Sequence, residues 1–423
     1  HHFCHLLHAY WSNRNLDLSK KYIGVTMDGF GDGLNQTVWK IYKNQFTKIA
    51  STNQNEIARI YRMSTLYLNM MPLEHEYKIM GLAPYSNNSK FSKELEKKLS
   101  SIIKLKNFLL IHNKRPKDLY EHLSNIYSNY RFDIIAAGLQ SFVEKSLVEM
   151  FNKIILKTKI NNFVFGGGTA MNTKANMEIS KLPKLQSIFV PGAPDDQGTA
   201  FGACYAVAME NNIKIKPNDN YYLGNSVDHK KIKNLPKNKF KIHKNISNTK
   251  LIDLLIQDNI IAICNGRMEF GARALGNRSI IANPFNPSIV ERINKSIKNR
   301  DFWMPFAGTI PYELSKKFLK NNNNLDGSFM TLCFDSIHNE KYISACHPYD
   351  KTIRAQILQR DQNKWYYDLI MSFYEITKIP VILNTSLNIH GKPIVMDEKD
   401  AIELLNKTSI NYLFLDGILI KKN

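Results

Sequence analysis

No apolar run in this chain approaches the ~18 residues that a membrane-spanning helix needs, and no secretory signal pattern is present. Cysteine is scarce: Cys4, Cys204, Cys264, Cys333 and Cys346 make an odd count with no Cys-x-x-Cys spacing. That excludes a disulfide framework and a zinc ribbon, and it leads us to expect a reducing, cytoplasmic compartment. Acidic residues are the other shortage, 37 against 57 Lys and Arg, for a net charge of +20. A surplus of that size raises nucleic acid as a partner. Here the lysines travel with abundant Asn and Ile along the whole chain, as around Asn321 to Asn324, and form no stripe. Nucleic acid is therefore not expected; small anionic substrates are. With 43% hydrophobic and 22% charged residues over 423 positions, the composition suits an enzyme of two domains.

What is present is a basic stretch from Gly266 to Ile310. Arg267, Arg273 and Arg278 share a loop-like run with Gly266, Gly271 and Gly276, and Lys298 and Arg300 follow two Asn-Pro turns. Glycine removes bulk where backbone approaches a ligand, and forked guanidinium donors suit phosphate and carboxylate oxygens. Glu269, Asn277 and Ser279 are expected to orient the guanidinium groups. A salt-bridged surface loop could carry similar charge, but the glycines and the second basic cluster favour an anion pocket.

The run GRMEFGARALGNRSI (266–280) resembles the signature of the carbamoyltransferases of the NodU and cephem-antibiotic type. Other blocks of that family match in order along the chain. The resemblance implies an α/β fold in two parts. The first, over 1–218, is actin-like (the ASKHA class shared with tRNA threonylcarbamoylation ATPase-like proteins), and the second, over 219–423, is a YrdC-like α/β domain. The polar stretch at 213–223, with Pro217, marks the linker. Because the chain opens without Met inside HHFCHLLHAY, the first domain is expected to lack its start.

In that opening, His1, His5 and His8 fall on one helical face, with His2 turned away. Two imidazoles one turn apart can bind a divalent metal if other ligands arrive; a tag remnant or a helix with spare histidines would read the same. The resemblance selects His1 and His5 as ligands. Tyr22 to Asp28 reads as a buried strand ending in an aspartate, the third ligand, whereas Asp32 can be a turn residue. In FVPGAPDDQGTAFGA, Asp195 or Asp196 could cap a helix, and the family alignment makes Asp196 the fourth ligand. A two-His, two-carboxylate set tolerates iron(II), manganese or zinc; the resemblance implies iron.

Phe132 to Leu156 has the period of an amphipathic helix. It leads to a strand, the glycines Gly166, Gly167 and Gly168, and a helix bearing Asn172 and Asn176. Strand, glycine loop and helix can cradle a nucleotide, and the matching family block holds adenosine. Lys78, in EHEYKIMGLAPY, is either a solvated loop residue or a contact to an acidic ligand. The segment at 89–130 reads as a peripheral helical insertion.

In the second half, MTLCF (330–334) reads as a strand, and His347, Asp350 and Arg354 surround a turn. Carried over from the resemblance, Arg273 and Lys298 bind carbamoyl phosphate, with Arg354 and Ser386 beside them. Arg267, Arg278, Arg300 and Asn384 join the nucleotide subsite. Met304 departs from the pattern, standing where many members have an arginine. The implied reaction uses ATP with Mg2+ and carbamoyl phosphate to form carbamoyl-adenylate. The carbamoyl group then passes to a hydroxyl of a sugar, glycolipid or natural product, and a homodimer is open. The rival readings are a tRNA threonylcarbamoylation-type enzyme and an idle binding protein of the same fold.

Overall fold

The computed structural model describes residues 1–218, 220–228, 235–236 and 238–423. The chain divides into two compact units, His1–Asp219 with Thr331–Cys333, and Asn220–Met330 with Phe334–Asn423. Both are mixed α/β. Among the described residues no helix is long and apolar enough to cross a membrane.

In the first unit, helix α1 (His2–Trp11) precedes the strands β1 (Tyr22–Gly31), β2 (Leu34–Tyr42) and β3 (Gln45–Thr52). Helices α2 (Ile57–Tyr67), α3 (Glu76–Leu82) and α4 (Lys90–Ser100) follow. A hairpin of β4 (Ile103–Lys106) and β5 (Leu109–His112) leads to α5 (Leu119–Tyr127). The segment expected to be a helical insertion is therefore two helices flanking a hairpin. The long helix α6 (Phe132–Thr158) buries Ile135, Leu139, Phe142, Leu147, Met150, Phe151 and Ile154. It stops where Lys159 turns left-handed at φ 59°. Then come β6 (Asn162–Gly166), α7 (Thr173–Ser180), β7 (Ser187–Phe189) and α8 (Thr199–Glu210).

These strands form a five-stranded sheet in the order β3-β2-β1-β6-β7. Central β1 is antiparallel to β2, with Val25 opposite Val38, and parallel to β6, with Val25 opposite Phe165. Its first six residues are all buried, as a strand covered on both faces requires. The carboxyl ends of β1 and β6 therefore open side by side, and the chemistry-bearing residues lie there.

The second unit opens with β8 (Phe240–His243), α9 (Asn248–Ile256), β9 (Ile261–Cys264), β10 (Arg278–Ala282) and α10 (Ser288–Ile293). Next are β11 (Ala307–Pro311), α11 (Tyr312–Phe318), and the short strands β12 (Phe334–Asp335) and β13 (Thr352–Ile353). It closes with β14 (Ala355–Leu358), α12 (Lys364–Thr377), β15 (Ile382–Ser386), α13 (Glu398–Lys407), β16 (Tyr412–Leu415) and β17 (Ile418–Lys422). Eight strands form one mixed sheet, β14-β11-β15-β10-β9-β16-β17-β8. Alternate residues of β9 feed two cores. Ala262 and Cys264 pack with Ile293 and Leu404 of α10 and α13. Ile261 and Ile263 pack with Leu255 and Ile370 of α9 and α12.

The strand expected at 330–334 shrinks to Phe334–Asp335. The preceding residues spend their polar groups in the first unit instead: Thr331 Oγ1 donates to Val190 O at 2.9 Å and Cys333 N to Thr173 O at 3.3 Å.

Candidate functional site

His1 caps α1 at its start and His5 follows one turn later, so their rings stand 4.6 Å apart. Each Nε2 lies 3.0 Å from the same oxygen, Asp28 Oδ2. Asp28 owes its aim to a register shift between Met27 and Gly31 near the end of β1. Asp196, at the head of the short turn before α8, brings Oδ1 to 3.4 Å from His5 Nε2 and 3.8 Å from His1 Nε2. One ligand atom from each of the four lies within 4.8 Å of every other. His5 is fully buried, while Asp196 is 77% exposed, so the cluster is open on the Asp196 side.

Burial resists ionisation of Asp28, but His5 and the Gly29 N–H outweigh it and hold the carboxyl below its usual range. Burial, then the Asp28 charge, pushes Asp196 up. Neighbouring Asp195 is also raised by burial, and its Oδ1 is buried without a hydrogen-bond partner. A metal bound to N and O donors at about 2.0–2.2 Å needs ligand atoms roughly 3 to 3.5 Å apart. The separations of 3.0, 3.0 and 3.4 Å fit that requirement, and 3.8 Å needs only a small closure.

The other two histidines do something else. His8 stacks on Phe201 at 5.1 Å, and burial pushes its pKa down to about 3. It shares the helical face expected of it but does not join the cluster. His2 Nδ1 meets Thr26 Oγ1 at 2.8 Å, Thr26 meets Thr37 at 2.6 Å, and Trp39 Nε1 donates to Thr37 at 2.7 Å. This chain of bonds braces the helix against β1 and β2. The expected turn residue Asp32 adopts φ 51°, and Lys78 sits half-buried on α3.

The glycine loop closes on the same cluster. A Cβ at Gly166 would stand 2.8 Å from His5 O, and one at Gly168 would stand 3.0 Å from Asp28 Oδ1. Asn172 caps α7, its Oδ1 accepting Ala175 N at 3.0 Å, and remains partly exposed. Asn176 departs from the expected ligand-facing position. It is fully buried, and its Nδ2 donates to Ala170 O at 2.8 Å and Thr331 O at 2.9 Å.

In the second unit, α10 widens into a π-turn over Asn294–Lys298, closed by Asn299 N to Asn294 O at 2.8 Å. Lys298 leaves this turn 1% exposed. Its Nζ donates to Ser386 O (2.5 Å), Ser386 Oγ (3.2 Å), Asn388 O (3.1 Å) and Asn388 Oδ1 (2.6 Å). Ser386 Oγ also meets Asn388 Oδ1 at 2.6 Å. All these acceptors are neutral. Burial, then the Arg300 charge, pulls the Lys298 pKa well below the ordinary lysine range. Asn388 is a residue the sequence reading missed. Its place two positions after Ser386, in a turn rich in polar residues, was the available signal.

The basic loop differs from expectation in detail. Glu269 orients no guanidinium: its Oε1 accepts the backbone N–H of Leu275 (2.7 Å), Asn277 (2.8 Å) and Arg278 (3.1 Å). Asn277 Nδ2 donates to Arg267 O, and Ser279 Oγ accepts Gly276 N. Arg278, expected in the nucleotide subsite, is fully buried. Its guanidinium is taken by the carbonyls of Met396, Asn265, Gly266, Asn277 and Asn225 at 2.9–3.4 Å. That is the environment of a structural pin. Arg267 binds the carbonyls of Gly224 and Leu223. Asn384 is buried on β15, donating to Ala274 O and Thr309 Oγ1 at 3.1 Å each. Arg273 and Arg354 are half-buried, and Arg300 lies over the Phe306 ring at 5.5 Å. His347 and Asp350 lock a turn: His347 Nδ1 accepts Tyr349 N, and Asp350 Oδ1 accepts Thr352 N. Met304 is buried, in keeping with its apolar side chain.

Residues 1–205 match the family described as Carbamoyltransferase N-terminus, and residues 252–422 match Carbamoyltransferase C-terminus. A protein of Methanocaldococcus jannaschii is 33% identical over 99% of this chain and 82% of its own length. The chain belongs to the carbamoyltransferase family. Nodulation protein NolO of Bradyrhizobium diazoefficiens is 26% identical over 94% of this carbamoyltransferase and 74% of itself. Nodulation protein U of Sinorhizobium fredii is 25% identical over 69% of it and 50% of itself. A solved structure of full-length HypF in the phosphate- and nucleotide-bound form aligns over 50% of the carbamoyltransferase and 35% of HypF. At a TM-score of 0.29 and 15% identity, that likeness carries no weight.

Proposed function

We propose that this carbamoyltransferase makes carbamoyl-adenylate and passes its carbamoyl group to a hydroxyl. In the first half-reaction, carbamoyl phosphate loses phosphate to water, and the carbamate oxygen attacks the α-phosphorus of ATP, expelling pyrophosphate. In the second, an acceptor hydroxyl attacks the carbamoyl carbon and AMP leaves.

The observation that carries this reading is the convergence of His1, His5, Asp28 and Asp196 beside the glycine loop. We assign them to a divalent metal, iron(II) by the family resemblance, which when bound supplies Lewis-acid polarisation of the carbonyl. The depressed pKa of Asp28 keeps a carboxylate available there at neutral pH. The order β3-β2-β1-β6-β7, antiparallel then parallel, supports an actin-like reading of the first unit. The glycine loop and the partly exposed Asn172 suit the adenosine portion.

The first half-reaction is assigned to the second unit, read as YrdC-like. Lys298 brings a charge into a buried place whose direct contacts are neutral oxygens. Such an uncompensated cation suits an anionic substrate, with Arg273, Arg354 and Ser386 as its companions. ATP and Mg2+ complete the cofactors, and the acceptor class is a sugar, glycolipid or natural product.

The test is to follow pyrophosphate release with and without carbamoyl phosphate, and carbamoyl transfer to added hydroxyl acceptors by mass. His5→Ala is expected to abolish transfer while leaving pyrophosphate release. Release that ignores carbamoyl phosphate would overturn the proposal.

A further inference from the structure

Gln140, on α6, lies 2% exposed and unassigned by the chemistry above. Its Nε2 donates to Asn172 Oδ1 at 2.9 Å, and its Oε1 accepts Asn172 Nδ2 at 3.0 Å. Two further bonds complete its capacity: Tyr61 Oη donates to Oε1 at 2.9 Å, and Nε2 donates to Glu144 Oε1 at 2.9 Å. The amide orientations follow from the donors alone. Ala175 N–H can only donate, so the Asn172 atom it meets must be the carbonyl oxygen. Gln140 must then face that oxygen with its NH2 and face the Asn172 NH2 with its own oxygen. No other pair of flips satisfies every contact.

The consequence concerns what Asn172 has left. Its oxygen accepts two bonds, from Ala175 and Gln140, and one of its two amide hydrogens goes to Gln140. One N–H remains, on a partly exposed side chain, four residues beyond the Gly168 that borders Asp28. We propose that Gln140 is a positioning residue that holds Asn172 in the flip presenting a hydrogen-bond donor to the bound nucleotide. The group met there is therefore an acceptor: a ribose oxygen, a ring nitrogen or a phosphate oxygen. The proposal rests on reading the glycine loop as the nucleotide subsite. A buried Gln140 with every bond made suits this task, since flipping either member of the pair leaves two like atoms facing each other.

The test is ADP affinity by equilibrium dialysis, with thermal unfolding measured on the same samples. Asn172→Asp keeps the cap and removes the donor, and is expected to weaken ADP about ten-fold. Gln140→Met is expected to weaken ADP to a similar degree in wild type and to add nothing in the Asn172→Asp background. Tyr61→Phe removes only one bond on Gln140, so it stays informative if Gln140→Met fails to fold, with an expected two- to three-fold loss. An unchanged affinity in Asn172→Asp overturns the nucleotide reading of the loop, and this inference with it. Weakened binding in Asn172→Asp alongside unchanged binding in Tyr61→Phe and folded Gln140→Met overturns the inference alone. Additive losses in the double variant also overturn it, since two independent effects would then be at work.

Discussion

A Cβ placed on Gly167 would stand 2.2 Å from the carbonyl oxygen of Met27, the residue before Asp28. Gly167 also sits at φ 90°, outside the range of ordinary L residues. Two constraints of different origin thus demand the same residue. Gly167→Ala is expected to cost about 2–4 kcal/mol of stability and to displace the end of β1 that carries Asp28. Chemical unfolding together with metal binding by calorimetry checks both effects.

The four-residue cluster should show a graded response. His5 is fully buried and Asp28 is half-buried, whereas Asp196 is largely exposed. His5→Ala and Asp28→Asn are expected to weaken divalent-metal affinity by about 100-fold or more, and Asp196→Asn by less. Titration with iron(II) or manganese under anaerobic conditions reads the order. Equal losses in all three would show that Asp196 is held as firmly as the others.

Two arginines of one loop should behave oppositely. Arg278→Met leaves several buried carbonyls without a donor, so a stability loss of about 3–5 kcal/mol is expected. Arg273→Met is expected to keep the melting temperature within a few degrees and to cut pyrophosphate release at least about ten-fold. Unfolding curves and initial rates on both variants separate the roles.

Burial raises the Glu144 pKa to about 7, against an ordinary value near 4.5. The folded chain therefore holds that proton over a range where the unfolded chain has released it. Stability from this group is full at pH 4 and falls as pH rises from there through about 7. Glu144→Gln is expected to match wild type at pH 4 and to exceed it at pH 8 by about 1 kcal/mol, allowing for partial solvent access. A difference that shrinks with rising pH would contradict the assignment.

Lys298 offers a pH test of the other unit. Its depressed pKa means that the ammonium deprotonates at lower pH than an ordinary lysine. Carbamoyl phosphate affinity is expected to weaken with rising pH before other lysines titrate, and Lys298→Met to abolish that dependence. Binding measured as a function of pH on both proteins reads it directly.

The cluster of His1, His5, Asp28 and Asp196 was legible because its signals are local. Histidines four apart share a helix face, and an aspartate ending a buried strand lies at the sheet's carboxyl edge, where β1 and β6 open together. The loop around Arg278 was less legible because sequence displays charge but not burial. Arg267, Arg273, Arg278, Lys298 and Arg300 suggested five ligands, while the fold uses Arg278 and Arg267 to hold its own carbonyls. Glu269 misled for the same reason, since a carboxylate near arginines can equally fill a ring of backbone N–H groups. Gln140 gave no signal in the sequence, because its partner lies 32 residues on, beyond the rest of α6, all of β6 and the glycine loop. The strand expected at 330–334 is lost at Thr331–Cys333 because their hydrogen bonds run to residues more than a hundred positions earlier.

The widened turn at Asn294–Lys298 makes chain length itself a determinant there. A π-turn holds one residue more than the helix it interrupts, and with Asn299 N closing on Asn294 O the backbone on either side keeps its helical alignment. Removing one residue from 294–297 would let an ordinary turn close between the same two ends, leaving the ammonium directed at Ser386 and Asn388. An added residue has no such slack to use: it would swing the side chain about 100° around the axis and carry the cation away from those oxygens.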